Sequence, residues 1–319
     1  MKRILIALAA LAAGFALPLY AQTFPTKPIR MLVAYAPGGG TDILARTVAQ
    51  AMSEDLGQPV IVENKPGAGS QLATDLVAKA PPDGYTIIMA TIAHSINPAL
   101  YKSLPYDSLN DFAPVSLVAS VPLIILVSPT VPVTNVKELI ALAKAQPGKL
   151  NNAMATGSMP HLAGEMFKKM AGVEIVPVPF KGNSPAYPDL IAGRVQIMFD
   201  ALSSGLPQVR SGALKGIAVT SAQRSQAAPD IPTVAESGLP GFEADAWYGI
   251  LAPAKTPPAV VDRLNAAIRK AVAMPAVQEK LKAQGYAILV DSPAEFTAYV
   301  KSETAKWGKV VKESGATAE

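Results

Sequence analysis

Apolar positions along this chain switch repeatedly between a strand-like run and a helix-like period. A run at residues 29–36 stops at Pro37-Gly38-Gly39-Gly40-Thr41-Asp42, and directly behind it Ile43, Leu44, Val48, Met52 and Leu56 recur at near-helical spacing. The pattern predicts a strand, a tight turn and a helix. The same order returns at once: a β-branched run at 59–64, the turn Lys65-Pro66-Gly67-Ala68-Gly69-Ser70, then a helix through Leu72, Leu76, Val77 and Ala80 that Pro81-Pro82-Asp83-Gly84 closes. Residues 85–91 read as a buried parallel strand, followed by a loop holding Asn97 and Pro98.

Residues 112–128 contain two apolar strands with Ser120, Val121 and Pro122 between them, and a crossing into a second domain is expected there. Behind it the motif recurs three times. A helix at 136–145 precedes a strand at 150–155, the turn Thr156-Gly157-Ser158 and a helix at 162–170; a strand at 173–178 runs through Phe180-Lys181-Gly182 to a helix at 187–192; a strand at 195–199 meets Asp200 and a turn at Ser203-Ser204-Gly205. After a strand at 213–220, the Pro- and Gly-rich stretch 227–241 reads as a surface loop, and the apolar run 247–252 as the return crossing. Helices from Pro257 onward, at 277–283 and at 293–311, enclose a last strand at 286–290. Strands alternating with helices predict parallel sheet in an α/β fold. Two crossings predict two lobes, a discontinuous one of residues 22–121 plus 250–319 and a second of residues 122–249.

The start of the chain lies apart from this pattern. Met1-Lys2-Arg3, an apolar stretch at 4–17 and a small residue at Ala21 form a secretory signal peptide, with Leu19 an imperfect residue three before the expected cut. The stretch is shorter than the ~20 apolar residues that span a bilayer. Removing 21 of the 319 residues leaves 298, and 26 basic side chains then stand against 24 acidic ones. A near-neutral chain without a basic patch gives no footprint for nucleic acid. There is no cysteine, which removes thiol chemistry and disulfides, and two histidines, His94 and His161, are too few for a zinc cluster.

The glycine turns carry the candidate chemistry. A backbone without Cβ approaches a ligand closely, and the first N–H groups of the following helix, unpartnered within it, face an anion at the positive end of the helix dipole. A turn that only joins strand to helix, with Thr41 or Asp42 as cap, is the plain alternative. Repetition of the turns in both lobes favours a cleft between them, since such turns cluster at the carboxyl edge of doubly wound sheets. A dinucleotide fingerprint fails because its final glycine falls at Ile43, and no phosphate-loop motif occurs. Ser158, His161 and Asp200 suggest a hydrolase triad on paper, but no G-x-S-x-G elbow is present and Pro160 abuts the histidine. Ser158 and His161 more naturally line a helix start. Asp200 either holds its turn or touches ligand, His94 follows a buried strand as an ordinary packing residue, and Lys181 either supplies charge to an anion or is a surface lysine.

In their order, Pro37-Gly38-Gly39-Gly40-Thr41-Asp42, Glu63-Asn64-Lys65-Pro66-Gly67-Ala68-Gly69, Pro82-Asp83-Gly84-Tyr85-Thr86, Gly157-Ser158 with His161-Leu162-Ala163-Gly164-Glu165, Phe180-Lys181-Gly182 with Pro185-Ala186, and Pro232-Thr233 with Glu236-Ser237-Gly238 resemble the Bug family. These are extracytoplasmic solute receptors of tripartite tricarboxylate transporters. The resemblance implies a two-lobed type II periplasmic-binding-protein fold, a mixed and mainly parallel sheet flanked by helices in each lobe, closing on a small carboxylate in the manner of a Venus flytrap. It implies a monomeric periplasmic binding protein without cofactor or metal, working with membrane transporter subunits; a sensor subunit of a signalling system shares the same features. Carried onto this chain, one lobe contributes Ala36, Pro37, Gly38, Gly39, Thr41, Asp42, Ala68, Gly69 and Ser70. The other contributes Thr156, Gly157, Ser158, His161, Lys181, Gly182 and Asp200. Family members often carry glycine where Ser70 stands and tyrosine where Phe180 stands. Gly39→Val is expected to block binding, by filling the anion's space and straining the turn.

Overall fold

A computed structural model describes residues 24–314, so the signal peptide expected at 1–21 lies outside the described residues. Two half-sheets share one long strand. In the first, β1 (Ile29–Val33) pairs in parallel with β2 (Val60–Asn64) and β3 (Thr86–Thr91), and β3 pairs antiparallel with β9 (Asp245–Pro253). β4 (Phe112–Val127) continues from β9 and changes partners partway along: it pairs antiparallel with β9 from Phe112 to Pro122, and from Leu123 onward with β7 (Ile197–Ala201). β7 leads in parallel to β5 (Asn151–Met154) and β6 (Val176–Pro179), while β8 (Lys215–Val219) and β10 (Ala287–Ile288) pair with β4 off this path.

The sequence predicts two strands at 112–128, and the structure corrects this to one of 16 residues. Pro122 has no N–H to offer a ladder, yet the strand survives because neighbours of both half-sheets take over there: Leu123 N donates to Thr220 Oγ1 at 2.7 Å, and Thr220 N returns a bond to Leu123 O at 2.9 Å. The return strand starts at Asp245, a little ahead of the apolar run that announced it.

The first glycine turn is followed by a helix whose apolar stripe faces the sheet. In α1 (Gly40–Leu56), Leu44, Val48, Met52 and Leu56 are buried at four-residue spacing, each worth about 1.5–3 kcal/mol on transfer from water. α1 ends where Gly57 takes φ 66° and returns its N–H to Ser53 O. α2 (Gln71–Ala78) follows β2. α3 (Ala93–Leu100) replaces the predicted loop. Pro98 lies inside it, and the helix holds because Ile96 and Asn97 are fully buried and Leu100 nearly so. α4 (Val136–Ala145) is capped by Asn135, whose Oδ1 accepts from Glu138 N, while Glu138 accepts from Thr134 N just ahead of the cap. α5 (Met159–Ala171) and the short α6 (Tyr187–Ile191) follow β5 and β6.

The predicted turn at Ser203-Ser204-Gly205 is instead the start of α7 (Leu202–Arg210). Its small residues answer to packing rather than to a bend: a Cβ on Gly205 would lie 2.6 Å from the side chain of Ile124. Residues 227–241 form the expected loop, and α8 (Pro258–Ala273), α9 (Pro275–Ala283) and α10 (Pro293–Ser314) complete the chain. α10 packs on α3 and β4, and α8 on α1.

Candidate functional site

The turn between β1 and α1 is built around Asp42. Gly38 takes φ 85° and donates its N–H to Asp42 Oδ2 at 3.0 Å; Arg46 Nε donates to both carboxylate oxygens at 3.0 Å, and Asn64 Nδ2 to Oδ1 at 2.9 Å. Burial alone would raise this carboxyl's pKa, but the bonds from Arg46, Gly38 and Asn64 outweigh it and hold the group below the usual carboxylate range. Asp42 is therefore the clasp of the turn, with its oxygens turned away from the cleft. Gly39, the N-cap of α1, carries no side chain to cap the helix, so the first N–H groups of α1 are left facing the cleft.

Across the cleft the start of α5 is equally uncapped. Ser158 is its N-cap residue, but the hydroxyl donates to Ala155 O at 2.6 Å rather than accepting from the helix. Gly39, Gly40 and Thr41 from α1, and Ser158, Met159 and Pro160 from α5, line one inner cavity of about 60 Å³. Two helix N-termini thus converge on one space, and an anion there meets two positive dipole ends.

Among the described residues, no lysine, arginine or histidine lines this inner cavity, and its one carboxylate is Asp200. Asp200 is almost fully buried and saturated with donors. Oδ1 accepts from Asn183 Nδ2 and Ala201 N, each at 2.9 Å; Oδ2 accepts from Ser204 Oγ at 2.9 Å and from the Tyr187 hydroxyl. Burial pushes its pKa up, and those four bonds pull the other way. With about four lone-pair sites filled, Asp200 braces the wall and has no acceptor left for a ligand.

A second, outer chamber of about 390 Å³ shares Tyr35 and Ala155 with the inner one. Ala68, Gly69, Ser70, Tyr101, Thr156, Phe180 and Lys181 are on its wall, and among the described residues Lys181 is its one charged side chain. The rims touch: Ala36 N donates to Lys181 O at 3.2 Å, and a Cβ on Gly69 would lie 3.2 Å from Thr156 O.

The structure brings Ala36, Gly39, Thr41, Ser158 and Asp200 to the inner cavity and Ala68, Gly69, Ser70, Thr156 and Lys181 to the outer chamber. Pro37, Gly38, Asp42, Gly157, His161 and Gly182 line neither. Gly157 instead donates its N–H to His161 Nδ1 at 3.3 Å, and Gly182 packs against Ala36 N. Burial lowers the His161 pKa, which suits an imidazole accepting that bond. The conjectured triad does not form, because Ser158, His161 and Asp200 each bond elsewhere. His94 likewise packs away from the cleft, its Nε2 2.7 Å from Ser108 O and its ring edge-on to Phe112. Sequence reasoning missed Tyr35, Gly40, Thr91, Asn183 and Tyr248 on the inner wall. A period-2 reading of β9 finds one of them: Ala246 and Tyr248 face the cavity, while Asp245 and Trp247 take the other face.

Residues 44–316 match the model of the tripartite tricarboxylate transporter family receptor. The chain belongs to this family. The receptor is 38% identical to BugT of Bordetella pertussis over 307 residues, covering 95% of this chain and 94% of that one. Its fold is similar to that of the periplasmic binding protein BugD, with a TM-score of 0.89, 38% identity and coverage of 92% and 99%. A Rhodopseudomonas palustris protein, Rpa4515 with adipate, superposes at 0.89 with 37% identity over 92% of this chain and 98% of that one. MatC of the same organism, with bound malate, superposes at 0.85 with 34% identity, covering 90% and 100%. The receptor accordingly has the two-lobed α/β fold of periplasmic binding proteins and is a solute-binding protein, not an enzyme.

Proposed function

We propose that this receptor captures a small carboxylate between its lobes and presents it to the membrane subunits of a tripartite transporter. The observation that carries the reading is the convergence of two uncapped helix N-termini, those of α1 and α5, on one cavity with no cationic side chain. Thr41 adds a hydroxyl donor on the inner wall, and Lys181 stands in the adjoining chamber for a second charge. The bound solutes of Rpa4515 and MatC, adipate and malate, are acids of this kind.

The chain works as a periplasmic monomer that begins near Gln22 after signal cleavage. Its lobes divide near residues 122 and 250. A thermal-shift screen against mono-, di- and tricarboxylates and acidic amino acids, followed by calorimetry, tests the proposal: a ligand raises the melting temperature by mass action and is recovered unchanged. Failure of every acid to shift the melt would overturn it.

A further inference from the structure

Asn97 lines neither cavity, yet it is fully buried where the outer chamber meets the facing lobe. From α3 its Nδ2 donates to Gly69 O at 2.9 Å and to Ser70 Oγ at 3.1 Å. Its Oδ1 is buried without a hydrogen-bond partner, and a Cβ on Gly157 across the cleft would lie 2.9 Å from it.

The loop that it grips is conformationally costly. Ala68, Gly69 and Ser70 follow one another with φ of 46°, 57° and 78°, and two of the three are not glycine. Side chains rarely adopt this region unless the surroundings impose it. All three residues line the outer chamber, so the backbone held in this region is part of its wall.

We propose that Asn97 is a positioning residue that sets selectivity for ligand length: by pinning Gly69 and Ser70 it fixes the wall met by the far end of a long acid, while leaving the inner cavity unchanged. The inference rests on the carboxylate reading above. Without the amide, the loop at 68–70 relaxes toward ordinary φ values and the outer chamber loses its shape. Glycine at position 70 adopts the left-handed region freely, so a chain with Ser70→Gly depends less on the pin.

The test is calorimetry on the full mature chain with acids of increasing length, from propionate through succinate and glutarate to adipate. Asn97→Ala is expected to weaken the longest acid bound by at least tenfold and the shortest by less than twofold. Asn97→Asp keeps the size while removing both donors, and carries the test should the alanine variant not fold. Adding Ser70→Gly to Asn97→Ala is expected to recover most of the loss, which a merely packing role for Asn97 would not allow. Equal weakening of every acid, an unchanged ranking, or no recovery in the double variant would overturn the inference while leaving the function intact. Absence of binding by the unmodified chain would remove the function and this inference together.

Discussion

Gly40→Ala separates the energetics of closure from those of folding. Gly40 opens α1 with an ordinary helical φ, so alanine is conformationally welcome, and in a helix it is favoured over glycine by up to ~1 kcal/mol. Space is what forbids it. A Cβ there would lie 2.7 Å from Ala201 Cβ, 2.9 Å from Ser203 Oγ and 3.3 Å from the Tyr248 hydroxyl. Ala201 and Ser203 belong to the facing wall, at the end of β7 and the start of α7. Overpacking of this kind costs about 1–3 kcal/mol. If it falls on the closed arrangement alone, it weakens ligand binding by roughly 5- to 150-fold, since a ligand shifts an equilibrium only by its differential affinity. The ligand-free melting temperature should stay level or rise, and the dissociation constant measured by calorimetry should increase. Affinity within twofold of the parent would refute the reasoning. So would a ligand-free melt that drops in step with affinity, because the crowding would then act within one rigid body.

Gly39→Val should weaken binding less than Gly40→Ala in the same calorimetry: Gly39 has an extended φ of −83° and its Cβ would meet Ser184 Oγ at 3.4 Å and Ala36 O at 4.0 Å, so the strain expected at this position belongs to Gly38 instead. Burial, with Glu243 beside it, pushes the Asp245 carboxyl up to about 6, so the folded chain holds a proton that the unfolded chain releases; stability is present below about pH 4 and lost as pH rises through 6. Asp245→Asn should therefore raise stability at pH 7 by about 1–2 kcal/mol, read as a higher melting temperature, with the gain gone near pH 4. Asp200→Ala leaves four donors without their acceptor and should cost at least ~3 kcal/mol in urea unfolding, with Asp200→Asn milder. Lys181→Gln should weaken dicarboxylates more than monocarboxylates and flatten the salt dependence of their binding.

Much of this architecture was legible in the sequence because the repeated strand, glycine turn and helix is a local pattern. What escaped was long-range. Pro98 after Asn97 reads as a breaker, and only burial beneath α10 keeps α3 helical. Ser203-Ser204-Gly205 reads as a turn until Ile124 is seen to need the space. The roles of the site residues divide the same way. Gly39 and Thr41 follow from the turn, whereas Asp42 turns inward because Asn64, more than twenty residues on, supplies a donor. Asp200 is filled by Asn183 and Tyr187 for the same reason. Ser70 sits at φ 78°, where glycine is at ease and serine must be held.

The absence of a cation from the inner cavity shapes how such a receptor discriminates. A guanidinium fixed in one lobe would attract acids into an open cleft and hold them there. Here the carboxylate on the cavity wall, Asp200, already has its lone pairs taken by its own donors, so an entering carboxylate gains little from either lobe alone. Each uncapped helix end presents about half a positive charge, and α1 and α5 approach the cavity from opposite sides. Full stabilisation requires both, and both are present only when Gly39 and Gly40 stand against Ser184 and Ala201. Capture and closure are then one equilibrium, and an acid too wide to let those glycines meet their partners loses the second dipole as well as the fit.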